Sequence, residues 1–249
     1  MPARRAIFVA PFGELAEPRR LARLAEAAEA AGWDGFFLWD HIVYSETREV
    51  ADPWVAMAAI ACATERVRIG PLVTPTPRRR IQKLARETVT LDRLSGGRLV
   101  FGVGIGPNDT GEFDPARFGE EGDPRKRAQL LDDGLERLQS YWDGEFEPRP
   151  VGRIPIWVAS RWPNRRPVRR AARFDGLFPI DMPGPEALAE LAAEVAEQRG
   201  PGPFDLVVTN PPGTDPAPWI EAGATWCLTG FESQPTEAEV RDAIESGSL

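Results

Sequence analysis

Apolar residues in this chain gather in short unbroken runs, separated by longer stretches in which they recur every three or four positions. The runs are 6–10 (AIFVA), 35–39 (GFFLW), 67–73 (VRIGPLV), 99–105 (LVFGVGI), 154–159 (IPIWVA), 176–180 (GLFPI), 204–209 (FDLVVT) and 224–229 (ATWCLT). Such runs, apolar on both faces, predict strands covered from both sides, as in parallel sheets. Between them the spacing predicts helices with one apolar stripe: Leu21, Leu24, Ala25 and Ala28; Ile81, Leu84, Ala85 and Leu91; Leu131, Leu135, Leu138 and Trp142; Leu188, Leu191, Ala192 and Val195. Shorter helices are predicted at 53–64, 165–173, 216–222 and 236–246. Asp123-Pro124 reads as an N-cap with proline at the first helical position, and Gly32 and Gly96-Gly97 read as C-terminal caps.

Eight strand–helix units in 249 residues predict an α/β fold, a (β/α)8 TIM barrel of parallel strands formed as a single domain over 1–249. An open doubly wound sheet is permitted by the same pattern. In both, ligands bind beyond the carboxyl ends of the strands, which makes 40–52 and 106–123 the longest candidate functional loops.

Composition narrows the function. The net charge is −8, from 30 basic and 38 acidic residues, with no basic stripe; that speaks against a nucleic-acid partner. No apolar run approaches the roughly 20 residues that span a bilayer, and the N-terminus lacks the features of a secretory signal, so a cytoplasmic protein without membrane partners is expected. Cys62 and Cys227 are expected to be reduced core thiols.

The one histidine, His41, follows the second strand directly after Asp40. An imidazole there can act as acid or base near neutral pH, oriented or charged by Asp40 if the strand has ended; otherwise it is an ordinary core or surface residue. A His/Cys zinc site lacks ligands, and no G-x-S-x-G elbow presents a serine, so no metal site is predicted, although composition leaves an all-carboxylate magnesium site open. FGVGIG at 101–106 puts Gly102, Gly104 and Gly106 on one strand face, bare enough for something flat to approach, but Pro107 and a long loop follow where a dinucleotide fingerprint needs a helix. Pro71 within the third run suggests a bulge. Arg78, Arg79 and Arg80 read as a solvated helix start rather than an anion clamp. The turn after the fifth strand offers Ser160, Arg161 and Asn164 at a helix opening as a possible phosphate site.

WDH at 39–41, VTPTPRRRIQKLARETVTLDRLSGGRLVFGVGIG at 73–106 and IPIWVASRWPNRRPVRRAARFDGLFP at 154–179 together resemble the luciferase-like flavin-dependent oxidoreductases, which include deazaflavin-dependent dehydrogenases. The resemblance implies a barrel that forms a homodimer and holds FMN or a deazaflavin at the strand ends, acting on a small-molecule substrate. It implies His41 and Asp40 near the reactive ring and a bulge at Gly70, Pro71, Leu72 and Thr74 behind it. Gly104 and Gly106 would flank the cofactor, and Ala159, Ser160, Arg161, Trp162 and Asn164 would hold its phosphate. It further implies a cis peptide in the bulge, expected within residues 70–73, with Gly70–Pro71 or Pro71–Leu72 as the candidate bonds. Trp39, Trp157 and Trp162 are expected as apolar walls.

Family members often carry a longer insertion where this chain has DGEFEPRPVGR at 143–153. A shortened lid would favour hydride transfer over oxygen chemistry. VTPTP leans toward the deazaflavin branch, with FMN open. The alternatives are a monooxygenase served by a flavin reductase, a non-catalytic flavin-binding protein, and a barrel hydrolase or isomerase acting on a phosphorylated substrate.

Overall fold

A computed structural model describes residues 3–45 and 47–247. Nine parallel strands run in chain order: β1 Arg4–Val9, β2 Gly35–Leu38, β3 Arg68–Pro71, β4 Thr74–Pro75, β5 Phe101–Gly104, β6 Ile156–Arg161, β7 Gly176–Ile180, β8 Asp205–Asn210 and β9 Trp226–Gly230. Their order in the sheet is β3-β2-β1-β9-β8-β7-β6-β5-β4. The two ends of that order, β3 and β4, are consecutive pieces of the third predicted strand. β3 meets the start of the fourth strand position, where Ile69 donates to Arg98 O (3.2 Å) and Val100 donates to Ile69 O (2.8 Å), while β4 pairs with β5 above it. The sheet therefore closes into a barrel of eight strand positions, as the alternation of runs predicts.

The helices are α1 Pro18–Ala30, α2 Pro53–Ala63, α3 Ile81–Leu94, α4 Pro115–Phe118, α5 Pro124–Ser140, α6 Arg166–Ala171, α7 Pro185–Gln198, α8 Ala217–Glu221 and α9 Glu237–Ser246. Seven of these nine, among the described residues, carry proline at the first or second position. Proline there gives up only an N–H that the helix leaves unpaired and fixes the φ that the first turn requires. Aspartates at the caps complete the signal: Asp52 accepts from Val55 N and Asp123 from Arg125 N. α4 was not predicted, because its four residues are too few to show a period.

Two apolar layers result. Between sheet and helices lie residues such as Ile7, Phe36, Leu38, Ile60, Val103, Val158 and Leu188. Inside the barrel, Phe37, Trp157 and Trp226 meet with ring centroids 5.3–5.8 Å apart and plug it. Trp157 is wholly buried in that plug, so it is not the pocket wall expected of it; its strand position lies one pleat below the mouth. At the floor, Arg98 spends its guanidinium on Ser95 O, Thr64 Oγ1, Val67 O, Ala61 O and Thr64 O at 2.6–3.0 Å, which ties the ends of α2 and α3 together. The conspicuous LDRLSGGRL stretch is thus a structural clasp on the face opposite the functional loops.

The structure changes three further expectations. Cys62 is exposed and only Cys227 is buried, because α2 is apolar all round and an apolar neighbourhood in sequence does not say which side faces the barrel. The cis peptide of the bulge lies within 70–73 as expected, but at Leu72–Val73 and not at Gly70–Pro71 or Pro71–Leu72. Leu72 N still donates to Leu38 O at 2.8 Å, so the ladder holds the chain extended through Pro71 and the break comes one bond later. Segment 143–153 leads from α5 into β6, beside Ile156 and Asp175 at the amino ends of the strands. It cannot cover the mouth, and the lid argument against oxygen chemistry loses its basis. No helix among the described residues is long and apolar enough to cross a membrane.

Candidate functional site

At the carboxyl end of β2 the chain still alternates. Phe37 belongs to the barrel interior and Trp39 packs onto that interior cluster, whereas Asp40 turns under α2 and is wholly buried. Its carboxylate accepts from Trp54 Nε1 (3.0 Å), Thr74 Oγ1 (2.7 Å), Arg78 Nη2 (2.6 Å) and Arg79 Nη2 (2.9 Å). Burying a carboxylate is tolerable only with such compensation. The side chains of Arg78 and Arg79 are 3% and 17% exposed, so these two are not the solvated helix start expected of them; Arg80 alone is exposed. Nothing in the local sequence could signal this, because the acid they compensate lies 38 residues upstream.

Asp40 does not orient His41; Glu112, from the loop after β5, does. Its carboxylate stands 3.0 Å from His41 Nδ1 and accepts from Ile42 N (2.6 Å), Arg78 Nη1 (2.7 Å) and Thr110 Oγ1 (3.3 Å). Burial pushes the Glu112 carboxyl up, but the His41 contact, the Arg78 charge and the Ile42 N–H together hold it below the ordinary value. An ionised Glu112 places a proton on Nδ1 and leaves Nε2 as the nitrogen able to meet a ligand. The imidazole is fixed sideways as well: Phe12, Trp39, His41 and Tyr44 lie in mutual contact, with centroids 5.0–6.1 Å apart. Glu112 gave no sequence signal beyond its place in the longest loop.

The bare glycine face is partly filled by the protein itself. A Cβ on Gly102 would lie 2.3 Å from Pro71 O and 2.5 Å from Leu72 Cδ2, and one on Gly70 would lie 1.9 Å from Val100 O. Those glycines let the broken third strand press against β5. Gly104 faces Val73 and Ala159, and Gly106, at φ +79°, lies under Phe113. Of the bulge, Pro71, Leu72 and Thr74 are buried, the Thr74 hydroxyl committed to Asp40, and only Val73 reaches the mouth.

At the carboxyl end of β6, Ala159 is half-buried and borders the mouth, while Ser160 is buried and donates to Asn164 O at 2.9 Å. Arg161 is exposed and pairs with Asp181 (3.1 Å) and Asp109 (3.8 Å). Trp162 is half-buried beneath the Arg165 guanidinium, and Asn164 Oδ1 accepts from Arg166 N at the opening of α6. Against the loop after β5 stands a residue not foreseen from the sequence. Arg127, in the first turn of α5, is wholly buried against the Phe113 ring at 4.0 Å and donates to Asn108 Oδ1. Its Nε and Nη1 have no partner, nor does the buried Trp39 Nε1 at the mouth. Unpaired buried donors are costly, and these three are free to donate to a ligand. A ligand with ring carbonyls and an anionic tail carries such acceptors, so the residues present fit a flavin-type cofactor. Among the described residues, no group of three or more His, Cys, Asp and Glu could hold a metal ion.

Residues 6–215 match the family described as luciferase-like monooxygenase. The F420-dependent glucose-6-phosphate dehydrogenase of Beutenbergia cavernae is 30% identical over 93% of this chain and 75% of its own length. An uncharacterized protein of Mycobacterium tuberculosis is 26% identical over 87% of this chain and 88% of its own. Among solved structures, an F420-dependent secondary alcohol dehydrogenase in complex with an F420-acetone adduct superposes with a TM-score of 0.80 at 16% identity, covering 100% and 98% of the two chains. The FMN-bound oxygenating constituent of 3,6-diketocamphane monooxygenase from Pseudomonas putida gives 0.69 at 19% identity over 85% and 67%.

Proposed function

This chain belongs to the luciferase-like monooxygenase family, and on that premise we propose that it catalyses hydride transfer between a flavin-type cofactor, FMN or a deazaflavin, and a small organic substrate. The observation that carries this reading is the His41–Glu112 pair set in an aromatic wall at the barrel mouth. The bound cofactor supplies the redox chemistry. The chain supplies the rest. Val73 and Ala159 offer the surface on which a ring can lie, and Trp39 Nε1 offers a donor to a ring or substrate carbonyl. Arg127, with the 159–164 turn, holds an anionic tail. His41 Nε2 takes or gives the proton that accompanies hydride transfer at the substrate oxygen, while Glu112 keeps Nδ1 protonated and stabilises the imidazolium. Phe12, Trp39 and Tyr44 keep water from the imidazole.

The relative named as F420-dependent supports the deazaflavin arm. The monooxygenase reading, with a reductase as partner, is supported by the family's own description, and no lid argument now opposes it. A homodimer is supported by α2, PWVAMAAIACA, which is apolar on every side and leaves Val55 65% exposed.

Titration with FMN and with a deazaflavin, followed by thermal shift, tests the cofactor. At a hundredfold excess over Kd the true one stabilises the fold by about 2.7 kcal/mol. His41→Ala is expected to keep cofactor affinity and lose roughly 10²–10⁴ in turnover. Binding of neither cofactor, or turnover unchanged in the variant, refutes the reading.

A further inference from the structure

In the seam between the 40–52 loop and α4 lies a cavity of about 300 Å³, reached from His41 by the next residue, Ile42. Ile42, whose N–H donates to Glu112, forms its apolar side together with Val43 and Val50. The polar side is made of the hydroxyls of Ser45 and Thr47 and the guanidiniums of Arg48 and Arg117. Both arginines are exposed, and among the described residues neither has a carboxylate partner. In this they differ from Arg78, Arg79 and Arg161 on neighbouring loops, all of which are ion-paired. Of the two acids three residues from Arg117, Asp114 is occupied with the N–H groups of Ala116 and Arg117, and Glu120 forms no ion pair with it. The guanidinium of Arg117 rests on the Phe118 ring at 4.7 Å, which limits its freedom. Ser45 is held at φ +48°, a backbone conformation that a serine seldom adopts and that tends to occur where a loop is shaped for a ligand.

In a chain of net charge −8, two guanidiniums that make no ion pair among the described residues stand on one small concavity, where they attract anions. Planar guanidiniums match the paired oxygens of a carboxylate or phosphate. The volume lies at the lower end of the roughly 300–1,000 Å³ of whole-ligand pockets, which suits one end of a molecule. We propose that this cavity is the subsite for an anionic group, a carboxylate or phosphate, on the substrate that reacts at His41, with Arg48 and Arg117 as its cationic walls. The proposal deepens the functional reading above and rests on it for the reacting end of the substrate.

The test uses the full chain with Arg48→Gln, Arg117→Gln and the double substitution; both side chains are exposed, so the fold does not depend on them. Inorganic phosphate, titrated at low and constant ionic strength and followed by tryptophan fluorescence, is expected to bind the parent saturably and the double variant at least tenfold more weakly. His41→Ala is expected to leave phosphate binding intact, which separates failure of the subsite from failure of the catalytic assignment. The affinities for FMN and the deazaflavin are measured on the same variants. If they stay within threefold, the anion belongs to the substrate. If they fall tenfold together with phosphate binding, it belongs to the cofactor, and the substrate assignment is overturned. Phosphate binding that is unchanged in the double variant, or undetectable in the parent, overturns the subsite. With phosphorylated and neutral members of one alcohol series, KM is expected to rise at least tenfold for the charged member and much less for the neutral one.

Discussion

Replacing Glu112 with glutamine changes one atom and one charge, and the structure allows the consequence to be worked out. Glu112 is wholly buried and receives three close contacts, from His41 Nδ1, Ile42 N and Arg78 Nη1 at 2.6–3.0 Å. A hydrogen bond to a charged group is worth about 1.5–3 kcal/mol and a neutral one about 0.5–1.5. Glutamine keeps the Ile42 and Arg78 bonds through Oε1 and reverses the third, its amide donating to Nδ1; each of the three becomes about 1 kcal/mol weaker, so the expected loss is about 2–3 kcal/mol. It stays below the roughly 3–5 kcal/mol of a broken buried pair because Asp40 still compensates Arg78.

The loss should depend on pH, since the folded-state pKa of Glu112 is lowered. A lowered carboxyl contributes stability that is complete above its unfolded value, about 4.3, and disappears as pH falls through the folded value beneath it. Urea unfolding of both proteins is therefore expected to show a midpoint difference of about 1 M at pH 7. That difference should shrink as pH is lowered from about 4.3. A difference equally large at pH 3.5 and pH 7, or absent at pH 7, would show that the buried charge does not act as argued. A second readout concerns the imidazole. The glutamine amide would donate to Nδ1 and shift the proton to Nε2, so the ¹⁵N spectrum of His41 should report the opposite tautomer.

Gly102→Ala puts a Cβ 2.3 Å from Pro71 O, where backbone faces backbone and neither can yield cheaply; a loss of about 2–3 kcal/mol in urea unfolding and weakened cofactor binding are expected, and a neutral effect would contradict the packing of the bulge. Arg98→Lys replaces five donors in a fork with three on a point charge and should cost about 2–4 kcal/mol, with no change in cofactor affinity because the clasp lies on the opposite face. Of the two thiols, Cys62 should react with a disulfide reagent within minutes at pH 8 in the native protein. Cys227, whose thiol burial pushes up to about 11, should react only on unfolding; two fast thiols would contradict its placement.

Much of the architecture could be read before any contact was known, because it is written in local periods. A strand covered on both faces needs an unbroken apolar run, and GFFLW and IPIWVA can be little else. A helix that follows a mouth loop is announced by Asp-Pro or Pro alone, since its first N–H groups have no partner within the helix. The place of His41 at a strand end follows from counting along one such run. The sequence by itself therefore determined the alternation of parallel strands and helices, while closure of the sheet into a barrel was decided by the tertiary structure.

Only the tertiary structure decided which side chains serve the site. Glu112 lies 71 residues from His41, and no spacing in the chain sets their 3.0 Å contact; the curvature of the closed sheet, which brings the loops after β2 and β5 together, sets it. The same holds for Arg78 and Arg79, which read as surface charges until Asp40 is found beneath α2, and for Arg127, whose burial depends on the Phe113 loop. It holds again for segment 143–153, whose side of the barrel is a matter of topology. Local pattern records what one segment can do alone. Charge pairing, burial and access belong to pairs of segments, and these have definite values only once the chain has closed upon itself.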